Sequence, residues 1–296
     1  MKHEKEATVF ILLGQSNAVG YATLMDEKER INKPLKNVFG LQRALNQSYH
    51  IEKLTWSGYT SAGMNLGETN EHTCSLANCL AKLWQAEIDA GNPLPDLYIV
   101  QIAIGAEGVT EKYMWYPDRE EKLVPGPLGV ADISLYSFTA HILSLLKSSF
   151  HSLGKEPSAI EIHWRGGEQE LTVPMEQLVG LKDIYDRIFD GIQSALDMNA
   201  HYTMHSLPLF EEEREFNEGG EVRKNIHVIN EAFEAEVKER ENFFLFDSKT
   251  APHYEPDSKE HGLFLHDFVH YNPKTNWWVA EEILKDFKRQ LKQEEQ

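Results

Sequence analysis

The chain of 296 residues is 41% hydrophobic and 10% aromatic, enough apolar material for a sizeable buried core. Its 47 acidic against 29 basic side chains leave a formal charge of −18, which argues against a phosphate backbone or an anionic membrane surface as partner. A neutral or weakly charged small-molecule substrate suits that balance best.

The chain starts with charged residues, Met1-Lys2-His3-Glu4-Lys5-Glu6, and the apolar run behind them is too short for a signal peptide's core. No stretch approaches the roughly 18 consecutive apolar residues of a membrane span. A soluble, cytoplasmic protein is expected, with secretion left open if a leader has been removed. The first strand is expected over residues 8–13, where Val9-Phe10-Ile11-Leu12-Leu13 runs straight into Gly14-Gln15-Ser16-Asn17. A buried strand that drives into a glycine and then presents a serine is either an ordinary strand-to-helix turn or a nucleophile seat.

An amphipathic helix is expected over 73–90, and it contains the chain's two cysteines, Cys74 and Cys79. Five residues apart on a helix, they point in different directions and read as buried thiols rather than a disulfide. The second strand, 97–104, leads into the glycine-bearing loop of residues 102–116. After a Pro/Gly excursion at 123–130 comes a helix over 132–152, then a strand over 159–164 that ends in His163-Trp164-Arg165-Gly166-Gly167-Glu168. A helix over 175–198, a strand over 202–209, a charged loop at 211–223 and a helix over 222–240 follow. The last strand, 243–247, precedes the loop 250–262, the run His266-Asp267-Phe268-Val269-His270-Tyr271-Asn272, and a closing helix over 274–293. The helical stretches place apolar residues at three- and four-residue intervals, as in Val228, Ile229, Ala232 and Phe233. The strands lack strict alternation, as expected where both faces of a parallel sheet are covered. This rhythm predicts one domain over 1–296, a three-layer α/β/α sandwich around a central parallel sheet of about five strands.

Ligands of such sheets bind outside the carboxyl ends of the strands, where the segments 14–17, 102–116, 163–170 and 266–272 fall. A serine hydroxyl attacks only after a base takes its proton, and a histidine held by a carboxylate is the usual base. Asp267 and His270, three apart in a turn, can reach each other unaided. Ser16 as nucleophile, His270 as base and Asp267 as its orienting acid then form the expected catalytic set. Asn17 is read as holding the nucleophile turn through its side chain.

The motifs Gly14-Gln15-Ser16-Asn17 and Asp267-x-x-His270 resemble those of the SGNH (GDSL-like) hydrolases, and more narrowly the sialate O-acetylesterase and acetylxylan esterase branch, carbohydrate esterase family 6. That resemblance runs over nearly the whole chain. It implies a flavodoxin-like fold and a serine esterase that removes O-acetyl groups from carbohydrate, with no metal or organic cofactor. It also implies that the amides of Ser16 and Gly105 serve as oxyanion donors and that Gln15, Asn17 and Glu168 support the site. Two blocks depart from the family. Its Ala-x-Gly-Gly-Thr becomes Ala103-Ile104-Gly105-Ala106-Glu107, and its Trp-x-Gln-Gly-Glu becomes Trp164-Arg165-Gly166-Gly167-Glu168, with Gly166 where an oxyanion-binding glutamine belongs. Arg165 or Gln101 are candidates to replace that donor. Loss of one donor typically costs about 10²–10³ in turnover, which slows such an enzyme without silencing it.

Two other readings stay open: a hydrolase of another acyl ester or thioester, and a carbohydrate-binding protein that kept the fold and lost turnover. Trp56, Tyr59, Trp115 and Tyr116 are candidate sugar-stacking platforms, whereas Trp277 and Trp278 read as packing. The pairs His201/His205 and His266/His270 have ligand-like spacing but no third ligand in register, so no metal is expected. Glu107 can face either the cleft or solvent.

Overall fold

The computed structural model describes residues 5–293 apart from 22, 49, 70, 71, 120, 121, 126–130, 133, 209–220 and 268. The strands are β1 (Glu6–Gly14), β2 (Val38–Leu41), β3 (Trp56–Gly58), β4 (Asp96–Ala103), β5 (Lys122–Pro125), β6 (Ala131–Asp132), β7 (Glu156–Arg165), β8 (His201–His205) and β9 (Phe243–Phe246). Seven of them form one sheet in the order β3-β2-β4-β1-β7-β8-β9, parallel except for the edge strand β3. β5 and β6 make a separate antiparallel pair.

The helices are α1 (Ser16–Val19), α2 (Arg43–Asn46), α3 (Leu76–Asp89), α4 (Leu135–Ser144), α5 (Leu146–Leu153), α6 (Leu181–Leu196), α7 (Glu221–Glu239) and α8 (Pro273–Gln293). β1 explains the layers. Its alternate residues Val9, Ile11 and Leu13 join the apolar cluster built with α4 to α7, while Phe10 and Leu12 join the one built with α3 and α8. Both sets are fully buried, so the strand reads as an unbroken apolar run. The result is the expected α/β/α sandwich.

All five expected strands are present, but the sheet has seven. The two extra strands, β2 and β3, are four and three residues long and too short to show a period. The helix expected over 132–152 is broken at Leu145, whose amide bonds back only three residues to Ile142, 3.2 Å. The strand expected over 202–209 stops at His205, and the loops read at 123–130 and 211–223 lie largely outside the described residues. Cys74 is not in the helix. It precedes the Ser75 N-cap of α3, so the helical angle does not apply, and its sulfur meets that of Cys79 at 3.4 Å, with both thiols free and buried. Among the described residues no helix is long and apolar enough to cross a membrane.

β1 sits between β4 and β7, and Gly14 is in register with Ala103 on one side and Arg165 on the other. The three strands therefore end at one level. The chain leaves β1 toward β2 but leaves β4 toward β7 on the far side, which makes this level a topological switch point. Gly14 is the constraint that closes it. Its φ is +138°, and a Cβ there would stand 1.9 Å from the Arg165 carbonyl oxygen. Gln15 N can then donate to that same carbonyl at 3.1 Å, which turns the chain out of the sheet.

Gly14→Ala is expected to destabilise the protein by at least about 2 kcal/mol, since positive φ and main-chain overlap act together. Urea denaturation that gives the variant wild-type stability would refute the close approach.

Candidate active site

Ser16 opens α1, a single helical turn, immediately after the Gly14 crossing. It is 8% exposed, so the turn is packed rather than projecting. One turn carries too little aligned dipole to act as a helix N-terminus, so the amides themselves, not a macrodipole, are what this turn offers an anion.

Asp267 and His270 lie in the loop that leads to α8. His270 Nδ1 meets Asp267 Oδ2 at 2.7 Å, and Asp267 Oδ1 accepts from the amides of Val269 (3.0 Å) and His270 (2.9 Å). Burial pushes the Asp267 carboxyl up. The hydrogen bonds from the His270 amide, the His270 ring and the Val269 amide outweigh it and hold the carboxyl below its usual range. It is therefore an anion at neutral pH, an acceptor that fixes the Nδ1–H tautomer. Asn272 and Pro273 end the loop as expected, with Asn272 Oδ1 accepting from Thr275 N at 2.9 Å to cap α8.

Asn17 brings the two ends of the chain together. Its Nδ2 donates to the Val269 carbonyl (3.0 Å) and to Glu168 Oε1 (2.5 Å), and its Oδ1 accepts from the Tyr271 amide (3.0 Å). The residues on both sides of His270 are thus bonded to the side chain next to Ser16. Glu168, from the loop after β7, also accepts from Gln15 Nε2. The three support residues expected from sequence form one hydrogen-bonded group. Thr23 adds a bond from its hydroxyl to the Tyr271 carbonyl, 2.6 Å.

Gly105 lies beside Ser16: a Cβ built on it would be 3.8 Å from the Ser16 Cβ. Its amide, however, donates to Glu68 Oε2 at 2.8 Å. Glu68 carries no motif signal and goes unnoticed in the sequence. Ala106 takes φ +58°, a left-handed conformation, where the family pattern has a glycine. Glu107 faces its own loop and accepts from Met114 N at 2.9 Å. Beneath the same loop, the buried Glu170 accepts from Val109 N at 2.7 Å, and burial pushes its carboxyl up to about 7.

Neither candidate for the missing donor lies open to a ligand. Gln101 is fully buried and donates to the Ala18 carbonyl at 2.8 Å. Arg165 is 1% exposed, bonded to Asn276 Oδ1 (2.8 Å) and the Asn17 carbonyl (3.3 Å), with its guanidinium 4.5 Å from the centre of the Tyr271 ring. β7 alternation sends Arg165 to the face opposite Trp164, and burial lowers its pKa. At Gly166 a Cβ would press to 3.2 Å from the Trp164 indole, so the glycine follows from that packing.

The expected stacking platforms are mostly core. Tyr59 and Trp115 are fully buried, Trp115 donating to the Gly14 carbonyl (3.1 Å). Trp56 bonds Ser149 and packs against Tyr98 and Phe150, and Tyr116 lies under Arg187. The loop reading did not predict exposure: Trp56 stands in β3, and the loops of Tyr59 and Trp115 fold back on the sheet. Tyr21 is the exposed aromatic here, 52% accessible, its ring 5.4 Å from that of His270. Trp277 and Trp278 are packing residues as expected, Trp277 bonded to Glu29 and Trp278 tilted against Phe246. His205 bonds His163 at 3.0 Å and His266 bonds Glu260 at 3.0 Å, so neither pair acts as a unit.

No family model matches the sequence, and no curated protein matches it. Solved structures do match in fold. NanS superposes with a TM-score of 0.60 at 14% identity, over 96% of this chain and 98% of that one. A protein of Arabidopsis thaliana superposes with a TM-score of 0.58 at 14% identity, over 95% and 98%. A carbohydrate acetylesterase from Xanthomonas citri overlaps more loosely, with a TM-score of 0.49 at 10% identity over 93% of this chain and 54% of that one, too loosely to bear on function.

Asn17→Ala strips the Tyr271 amide of its acceptor and is expected to cost about 1–3 kcal/mol. Hydrogen exchange at Tyr271 that is no faster in the variant would remove the tether. Glu170 makes the stability pH-dependent. Its folded pKa lies above the usual carboxylate value, so its penalty is absent near pH 4, grows through pH 7 and reaches about 3 kcal/mol above that. Glu170→Gln is expected to gain stability over wild type as pH rises from 4.5 to 7.5. A pH-independent difference in unfolding free energy would contradict this.

Proposed function

We propose that this protein is a serine esterase that removes O-acetyl groups from carbohydrate by an acyl-serine mechanism. The observation that carries the reading is the 2.7 Å His270–Asp267 pair on a loop bonded through Asn17 to the turn of Ser16. The match of Gly14-Gln15-Ser16-Asn17 and Asp267-x-x-His270 to the esterase motifs supports it from the sequence side.

Ser16 Oγ attacks the ester carbonyl while His270 Nε2 takes its proton, and the Asp267 carboxylate stabilises the ring as it becomes cationic. The amides of Ser16 and Gly105 receive the developing oxyanion, the latter once Glu68 yields it. Collapse of the tetrahedral intermediate expels the sugar hydroxyl with the proton held on His270. Water, activated by the same ring, then releases acetate and restores the serine. Every proton moves between Ser16, His270, substrate and water, so the cycle calls for no metal or organic cofactor.

The hydrogen bond between Gly105 and Glu68 favours one second reading, a carbohydrate-binding protein whose oxyanion site is shut. Hydrolysis of a small aryl acetate at pH about 8, where an ordinary histidine is neutral, separates the two. Wild type is expected to turn over and Ser16→Ala to lose on the order of 10⁶ in kcat. Equal background rates in both proteins would leave the binding reading standing.

A further inference from the structure

Glu68 is held at the site by a loop that has little freedom. Asn65, fully buried, bonds Ala103 in both directions, Nδ2 to the carbonyl (2.8 Å) and Oδ1 to the amide (2.9 Å), and Nδ2 also reaches the Glu68 carbonyl (3.0 Å). Leu66 N donates to the Gln101 carbonyl at 2.9 Å. Gly67 lies so close to β4 that a Cβ would be 2.0 Å from the Ala103 carbonyl oxygen. The backbone of this segment is thus clamped to the end of β4. The half-buried Glu68 side chain can rotate about its own bonds, but its carboxylate stays within reach of Gly105 and hence of Ser16.

The charges around it are unbalanced toward the ligand side. Glu168 spends both oxygens on Gln15 and Asn17, and Asp267 spends its own on the His270 segment. Arg165, a cation of this group, is 1% exposed beneath the turn and does not present its charge to a ligand. An incoming ester therefore meets a negative charge where its carbonyl oxygen must bind. A neutral sugar can meet that charge well, because its hydroxyls are good donors to a carboxylate displaced from Gly105. A sugar that carries its own carboxylate cannot, since two like charges at contact range in a half-buried site repel strongly.

We propose that Glu68 is the specificity-determining residue of this site, favouring O-acetyl esters of neutral sugars over those of acidic sugars whose carboxylate lies next to the acetylated carbon, such as 4-O-acetylated uronic acids. The proposal rests on the esterase reading above. It narrows that reading, because the sequence resemblance covers enzymes of both sialate and xylan esters.

The test compares acetate release from methyl 4-O-acetyl-glucoside and methyl 4-O-acetyl-glucuronide, which differ only in the carboxylate next to the ester. Wild type is expected to favour the glucoside in kcat/KM by on the order of 10–100-fold, and more at low ionic strength than at high. Glu68→Gln is expected to shrink that preference about tenfold, chiefly through faster turnover of the glucuronide. Equal wild-type rates on the two sugars, or an unchanged preference in a folded Glu68→Gln, would overturn the role of Glu68. If the variant does not fold, the wild-type preference and its loss in salt still decide. Absence of acetate from both sugars and from an aryl acetate would instead sink the esterase reading, and this proposal with it.

Discussion

The site depends on the side-chain amide of Asn17. An amide of this kind offers two donors and one acceptor in a fixed plane, and here each has a protein partner. Those partners come from the loop after β7 and from the loop before α8, which lies some 250 positions further along the chain. An aspartate of the same shape would face Glu168 and a carbonyl with no proton to give. The chemistry of the asparagine is therefore what ties the residues on both sides of a histidine near the end of the sequence to the neighbour of a serine near its start.

The sheet supplies the level at which those partners meet. β1, β4 and β7 end together, and Gly14 lets the first of them pass within main-chain contact of the third. Each of the three strands then delivers one piece: Ser16 and Asn17 from β1, Gly105 from β4 and Glu168 from β7. The apolar clusters on the two faces fix the helices but touch the chemistry only from below. A parallel sheet covered on both faces has few other places for polar groups to gather, so function concentrates at the strand ends.

Charge is handled unevenly within this small volume. Arg165 is buried among a ring, an asparagine and a carbonyl, where it stiffens the floor of the site. Glu168 and Asp267 each have both carboxylate oxygens hydrogen-bonded within the protein. Glu170 is a buried carboxyl with a raised pKa, holding the Gly105 loop by the Val109 amide. Glu68 is the one of these carboxylates bonded to the Gly105 amide, beside Ser16.

The strand-helix rhythm, the five main strands and the pairing of Asp267 with His270 were legible in the sequence, because each is a local signal: an apolar run of the right period, an acid three residues from a histidine. That Gln15 and Glu168 stand together with Asn17 was legible only through the motif resemblance. What no local pattern carried were the short edge strands, the contact of Cys74 with Cys79, the burial of Arg165 and the aromatics, and Glu68 on the Gly105 amide. The cysteine contact depends on where α3 begins, and the others join segments brought together by the sheet, where a residue's surroundings come from distant parts of the chain. The sequence by itself determined which chemical groups are available and at which strand ends they stand. The tertiary structure decided which of them face a ligand and which are spent on one another, because hydrogen-bonding capacity is finite and only the packed arrangement settles where it goes.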